Sequence, residues 1–263
     1  MTVRNPPADA TAQLAGTAVY CYGVTWASSP GARRVAGVAG ASVEAIGFGE
    51  LAALVSPVES TSIRARRRDL LSHSQVVAEA HEHGTVLPLR FGFVFESADA
   101  VVDDFLQPRH DELVALLRRF EGRVEVTVKA YYREEAVLAE IIRDNPRIAQ
   151  LREATRSRPA AATMPMRLEL GERVARELQA RTQRDARALL DRLRPLALAV
   201  DVDEEPIEHR VLQASFLVEQ GRVADFDKAM EELAREHAQS VHFKYLGPLP
   251  PHSFVDLAPS GRA

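Results

Sequence analysis

The segment VEVTVKAY, Val124 to Tyr131, alternates without a break. Val124, Val126, Val128 and Ala130 fall on one side, and Glu125, Thr127 and Lys129 on the other. Strand side chains point to opposite faces at a period of two, so this segment reads as a half-buried antiparallel strand. The elements C-terminal to it narrow the fold further. A helical stretch runs from Glu134 to Arg143, and a long helix from about Met166 to Arg194 carries Val174, Leu178, Leu189 and Leu193 on one stripe. Between them, RSRPAAATMP (Arg156 to Pro165) reads as an exposed connection. LALAVDV and RVLQASFLV form a strand pair across the acidic turn DEEP. Asp225 is placed to cap a helix bearing Phe226, Met230, Leu233 and Ala234. VHFKYLG closes the series, with Val241, Phe243 and Tyr245 on one face. The order is β-α-β-β-α-β, the split, ferredoxin-like arrangement.

The first half has its own set of elements. TAVYCYGVT, Thr17 to Thr25, is a β-rich strand; the glycine-rich GARRVAGVAGAS is a loop; VEAIGFG and LAALVSPV are short strands. RARRRDLLSHSQVVAEAHEHG reads as a helix whose stripe runs through Leu70, Leu71, Val77 and Ala78, with Ser74 and His81 on the same face and Gly84 as its stop. TVLPLRFGFVF comes next as a strand. Ser97 caps the next helix, which Pro108 breaks or kinks before a second piece carrying Leu113, Leu116, Leu117 and Phe120. The fold class is therefore α+β with mainly antiparallel sheets in two domains. Residues 17–121 form an N-terminal α+β domain and 122–256 a modified ferredoxin-like domain, with tails at 1–16 and 257–263.

Several function classes lose support. The 263 residues carry a net charge of -4, so no overall field draws the chain to nucleic acid or an anionic membrane. A single cysteine, Cys21, sits in an apolar run and reads as a small buried hydrophobe, which leaves no disulfide framework. No apolar run is long enough to span a bilayer, and the N-terminus lacks a signal peptide's apolar core, which makes the cytoplasm the expected compartment. No phosphate-binding glycine loop and no nucleophile elbow is present. His73 and His81 lie two helical turns apart, too far to share a metal. His81 and His237 read as satisfied core histidines. No cofactor, metal or catalytic residue is expected. The basic cluster RARRRD, Arg64 to Asp69, reads as a solvated face, with docking to an acidic partner as the sharper alternative. On the long helix, Glu172 with Arg176 and Glu177 with Arg181 suit a salt-bridged exposed surface.

Two strand ends do not fit an ordinary strand. VLPLRFG places Pro88 and Arg90 in an apolar run. Proline gives no ladder donor and belongs at an edge, and a buried guanidinium needs a partner. Arg90 is therefore expected as an internal clamp paired with Glu82 or an acidic residue of the following helix, rather than as a partner hot spot. YLGPLPPHSFVD, Tyr245 to Asp256, sets prolines against aromatics and aliphatics. It reads as a terminus packed back on its domain, or as a preformed apolar ledge for a partner.

At these two segments the chain resembles the gas vesicle GvpL/GvpF family. The family has a helix ending in histidine and glutamate, then a strand P-x-R-F-G-x-x-F. Here Pro88, Arg90, Phe91, Gly92 and Phe95 stand in register. Near its C-terminus the family has a tyrosine followed by G-P-W-P-P-Y-S-F, matched by Tyr245, Gly247, Pro248, Pro250, Pro251, Ser253 and Phe254. Leu249 replaces the usual tryptophan and His252 the usual tyrosine, which weakens any requirement for an aromatic there. The resemblance covers roughly residues 17 to 256. It implies a non-enzymatic assembly factor or minor structural component of gas vesicles, which contacts the small, very apolar shell protein and other gas vesicle proteins, with no nucleic acid or membrane partner. It also implies two α+β domains, the second a modified ferredoxin fold. The competing readings are a ferredoxin-like ligand-binding protein or enzyme, which needs a pocket of convergent titratable groups, and an RNA-binding module, which needs exposed aromatics on its sheet.

Overall fold

The computed structural model describes residues 14, 16–29, 31–32 and 34–257, so most of the two expected tails lies outside the described residues. The chain divides into two compact units, one of residues 1–125 with 248–263 and one of residues 126–247.

In the first unit, β1 (Val19–Trp26) is the central strand of an antiparallel sheet. It pairs on one side with β3 (Leu51–Pro57), which in turn pairs with β2 (Glu44–Phe48). Phe48 stands opposite Leu51, so only Gly49 and Glu50 make the turn. Gly49 takes a φ of +59°, the left-handed conformation that a two-residue hairpin requires. The other side of β1 is shared by two short strands, β4 (Val86–Pro88) and β5 (Val94–Phe95). The single strand expected over Thr85 to Phe95 is thus interrupted. β4 is an edge strand, as its proline demands. The Leu89 N–H turns inward to the Tyr22 carbonyl at 2.9 Å, so in alternating register the donorless Pro88 nitrogen faces away from the ladder.

The helix α1 (Arg67–Glu82) buries Asp69, His73, Val76, Val77 and Ala80. This corrects the expected stripe: Leu70 and Leu71 are 42% and 53% exposed. The helix is phased by His73, which hydrogen-bonds into the sheet, rather than by its two leucines. Ser97 does cap α2 (Ala98–Val101), its Oγ accepting from the Ala100 N–H at 3.1 Å. A π-helical turn over Val102–Leu106 precedes Pro108, and α3 (His110–Phe120) begins after it with Leu113, Leu117 and Phe120 buried.

The chain enters the second unit along β6 (Arg123–Tyr132), continues through α4 (Glu134–Asp144), α5 (Pro146–Arg156), α6 (Ala160–Leu193), β7 (Ala199–Val202), β8 (Arg210–Glu219) and α7 (Val223–Glu236), and leaves it along β9 (Val241–Leu249). The sheet order is β7-β8-β6-β9. Both units combine helices with antiparallel sheets, in agreement with the expected α+β class.

Three expectations are corrected here. The connection expected over Arg156–Pro165 shrinks to residues 157–159. α5 fills the stretch before it, started by Asn145, whose Oδ1 accepts from the Ile148 N–H at 3.2 Å. α6 begins at Ala160 and takes Pro165 into its second turn. A proline that early removes one donor without ending the helix, because its ring meets only the first turn. Asp225 lies in the first turn of α7 and pairs with Arg222 at 3.6 Å; it does not cap the helix. Finally, Glu172 pairs with Arg176 as expected, but Arg181 reaches Glu140 and Asp185 instead of Glu177.

Candidate functional site: a clamped bend and the C-terminal proline segment

The interruption between β4 and β5 has a cause in β1. The β1–β3 register steps from Cys21 opposite Val55 to Gly23 opposite Leu54, which leaves Tyr22 as an extra residue. A bulge of this kind bends the strand, and here the bend faces residues 89–93. β4 ends with Pro88 opposite Gly23, and β5 resumes with Val94 opposite Tyr20. Gly23 is required at this point, because a Cβ would stand 2.6 Å from the Leu87 carbonyl oxygen. The residues between the two short strands arch outward. Gly92 has a φ of +102°, open to glycine and strained for other residues.

The arch is held from beneath by a buried polar network. The His73 Nε2 lies 3.1 Å from the Leu89 carbonyl, which can only accept, so Nε2 carries the proton and donates. Nδ1 is then an acceptor, and the Tyr20 hydroxyl donates to it at 2.8 Å. The same hydroxyl accepts from the Gly92 N–H at 3.2 Å. One tautomer of one histidine thus fixes both ends of the arch. Burial, with a smaller contribution from His252, pushes His73 down to about 4, which keeps it neutral as this pattern needs. Phe91 packs its ring against Tyr20 and His73, at 5.6 and 5.9 Å between centroids. A neighbouring network ties down the loop before β2: the Tyr22 hydroxyl accepts from the Val38 N–H at 2.7 Å and donates to Ser56 Oγ at 2.8 Å.

Arg90 stands at the arch, and its expected role as a buried clamp is corrected. Its side chain is 82% exposed, and its partner is the equally open Asp256 at 3.7 Å, not Glu82 or the following helix. The burial premise fails because the run is not a continuous strand, so Arg90 leaves the sheet at the point where the chain arches out. Its partner belongs to the C-terminal segment. There Pro250 and Pro251 are buried, and a short 3-10 turn covers His252–Phe254. That turn is anchored on Glu125, a carboxylate only 3% exposed, whose two oxygens accept from the Ser253 N–H at 2.7 Å and the Ser253 Oγ at 2.8 Å. Phe91, Phe95 and Phe254 are half-buried, and Pro248 is exposed. The bend and the C-terminal segment therefore share a charged bridge on an open surface.

The remaining motif residues lie in the second unit. Tyr245 stacks on Phe226 at 5.9 Å, and its hydroxyl donates to Asp227 at 2.7 Å, which marks it as a packing residue of β9. Gly247 takes a φ of 151° in the same strand. Sequence reasoning gave none of Tyr20, His73, Glu125 or Asp256 the role it has here. Asp69, His73, Val76 and Ala80 fall on one helical face, which was a readable signal for His73. Glu125 gave none, since it occupies the polar side of a regular alternation. Of the two histidines taken for satisfied core residues, His81 has a buried Nδ1 without a hydrogen-bond partner. His237 packs against the Phe243 ring, 6.4 Å away.

Burial pushes the Cys21 thiol up to about 12, far from the reactive thiolate range. Among the described residues no group of three or more histidine, cysteine or acidic side chains could hold a metal, and no helix is long and apolar enough to cross a membrane.

Comparison with known proteins gives a consistent result. Residues 18–256 match the family model described as gas vesicle synthesis protein GvpL/GvpF. Gas vesicle protein F of Streptomyces sp. (strain CB03234) is 38% identical over 241 residues, covering 90% of this chain and 99% of that protein. Gas vesicle protein F of Nostoc sp. (strain PCC 7120 / SAG 25.82 / UTEX 2576) is 27% identical, covering 78% and 84%. The crystal structure of GvpF from Anabaena sp. PCC7120 superposes with a TM-score of 0.76 at 23% identity, covering 94% of this chain and 99% of that one. That of GvpF from Microcystis aeruginosa gives 0.72 at 22% identity, with 92% and 100% covered.

Proposed function

Because this chain belongs to the gas vesicle GvpL/GvpF family, we propose that it is a non-enzymatic assembly factor or minor structural component that binds the small, strongly apolar gas vesicle shell protein. The observation that carries the reading is the exposed Arg90–Asp256 bridge, which joins the two motifs over half-buried phenylalanines. A shell whose inner face excludes water is built from subunits that aggregate when alone. A soluble adaptor covering their apolar edges before polymerisation limits that loss. The surface suits this task. Its backbone is fixed beforehand by the His73 network and the buried prolines, so little ordering entropy is lost on docking. Phe91, Phe95 and Phe254 supply apolar area, and the charged bridge gives orientation.

In this reading the other motif residues, Pro88, Gly92, Tyr245, Gly247, Pro248, Pro250, Pro251 and Ser253, shape the backbone that presents those groups. The protein works in the cytoplasm on growing gas vesicles, with other gas vesicle proteins as further partners. We also take the second unit as a modified ferredoxin-like fold. Its strand order β7-β8-β6-β9 supports this, and the run of three helices between β6 and β7 is the modification.

Co-expression of the shell protein with and without this chain, followed by affinity capture, tests the proposal. Soluble shell protein should rise and co-purify with the wild type. No gain in solubility would reject the adaptor role.

A further inference from the structure

Two surfaces take no part in the clamped bend, and each is what the other lacks. The first is the start of α1. Arg64, Arg66, Arg67 and Arg68 are exposed, and among the described residues only Arg68 forms an ion pair, with Asp69. Leu70 and Leu71 lie beside them with 42% and 53% of their surface open. Arg67 precedes Leu71 by one helical turn, so the guanidinium and the leucine share a face. Solvent is a poor environment for two adjacent leucines, and a helix face of this size left open invites a partner.

The second surface is a groove in the other unit, about 970 Å³ in volume, between α6 and the connection from β7 to β8. Leu178, Leu190 and Val211 are among its apolar lining residues, and Ile207 stands on the connection, 47% exposed. That connection is acidic. Asp203 is taken by Arg210, but Glu204, Glu205 and Glu208 are all exposed. The α6 wall carries Arg187 and Arg194 beside Asp191, so the acidic side of the groove is the connection, and a basic helix would turn its arginines toward residues 204–208. His209 strengthens the case that this connection is built to hold a shape. It sits at a φ of +59°, which costs a non-glycine residue energy, and its Nδ1 is buried without a partner.

We propose that the groove receives the start of α1 from a second copy of this chain, Leu70 and Leu71 on the apolar floor and Arg64 and Arg67 against Glu204 and Glu205. Charge complementarity selects this occupant: the chain bears a basic, leucine-faced helix start and an acidic, apolar groove, both open. The contact joins two different surfaces. It is heterologous, and repetition gives a ring or an open series. The association is weak and salt-sensitive, because its charges are exposed.

Light scattering and sedimentation of the purified full chain test this, with no shell protein present. The wild type should associate with rising concentration, and raising the salt should weaken that association several-fold. Arg64→Glu/Arg67→Glu and Glu204→Arg/Glu205→Arg, each checked by its melting curve, should each weaken self-association at least about tenfold. Mixed one to one, the first variant supplies an intact groove and the second an intact helix. The mixture should associate again in alternating order, because the reversed helix of the first variant is also charge-complementary to the reversed groove of the second. A wild type that stays monomeric up to its solubility limit would overturn the proposal. Association indifferent to both reversals would do so too, as would folded variants whose mixture fails to pair.

Discussion

Acidification should loosen the first unit through His73, and the size of the effect is set by its surroundings. The histidine is 5% exposed, donates from Nε2 to the Leu89 carbonyl and accepts at Nδ1 from Tyr20. A proton added at Nδ1 would face a hydroxyl that already donates to it. Burial, chiefly, brings its pKa from 6.5 in the unfolded chain to about 4 in the folded one. The folded state thus binds fewer protons than the unfolded state at intermediate pH, so stability falls as the pH drops. The contribution is intact above 6.5 and is lost progressively down to about 4. Between pH 7 and pH 5 the loss is about 2 kcal/mol, or roughly 4–8 °C in melting temperature for a chain of this size. His81, pushed down mainly by burial, adds in the same direction, and His73→Phe leaves it in place. That variant should be less stable at pH 7 by about 2–4 kcal/mol, since Leu89 and Tyr20 lose their partner. It should also lose about 2 kcal/mol less than the wild type between pH 7 and 5. Thermal melts followed by circular dichroism at both pH values measure this. Equal acid sensitivity in the two proteins would show that His73 is not the group whose protonation matters.

Three further outcomes can be checked with the same melts. Arg90→Ala should change stability by no more than about 1 kcal/mol, because an exposed ion pair contributes little, and it should reduce capture of the shell protein. A large fall in melting temperature would restore the internal clamp. Gly92→Ala should cost about 1–3 kcal/mol through its positive φ, with open space around the new methyl excluding a clash as the cause. Ser253→Ala removes the hydroxyl that donates to the buried Glu125 carboxylate, and should cost about 1–3 kcal/mol; full stability would mean that water replaces the hydroxyl.

What the sequence decided by itself is the part that depends on near neighbours. The alternation from Val124 to Ala130 made β6 legible, because each residue's face is set by its own position. Pro88 required an edge, and the structure puts β4 at one, since a missing donor is a property of that residue wherever it lies. Ser97 required a helix start three residues before its partner. The tertiary structure decided the rest. Leu70 and Leu71 looked like the buried face of α1; the competing face of Asp69, His73, Val76 and Ala80 was also present in the sequence, and the approach of Tyr20 to His73 decided between the two. Arg90 looked buried because its neighbours are apolar. The bulge at Tyr22, on another strand, lifts it out of the sheet, and its partner Asp256 comes from the far end of the chain. Glu125 looked like one more solvent-facing residue of an alternating strand until the C-terminal turn brought Ser253 onto it. In each case a polar group finds its partner distant in sequence, and the identity of that partner is not written in local periodicity.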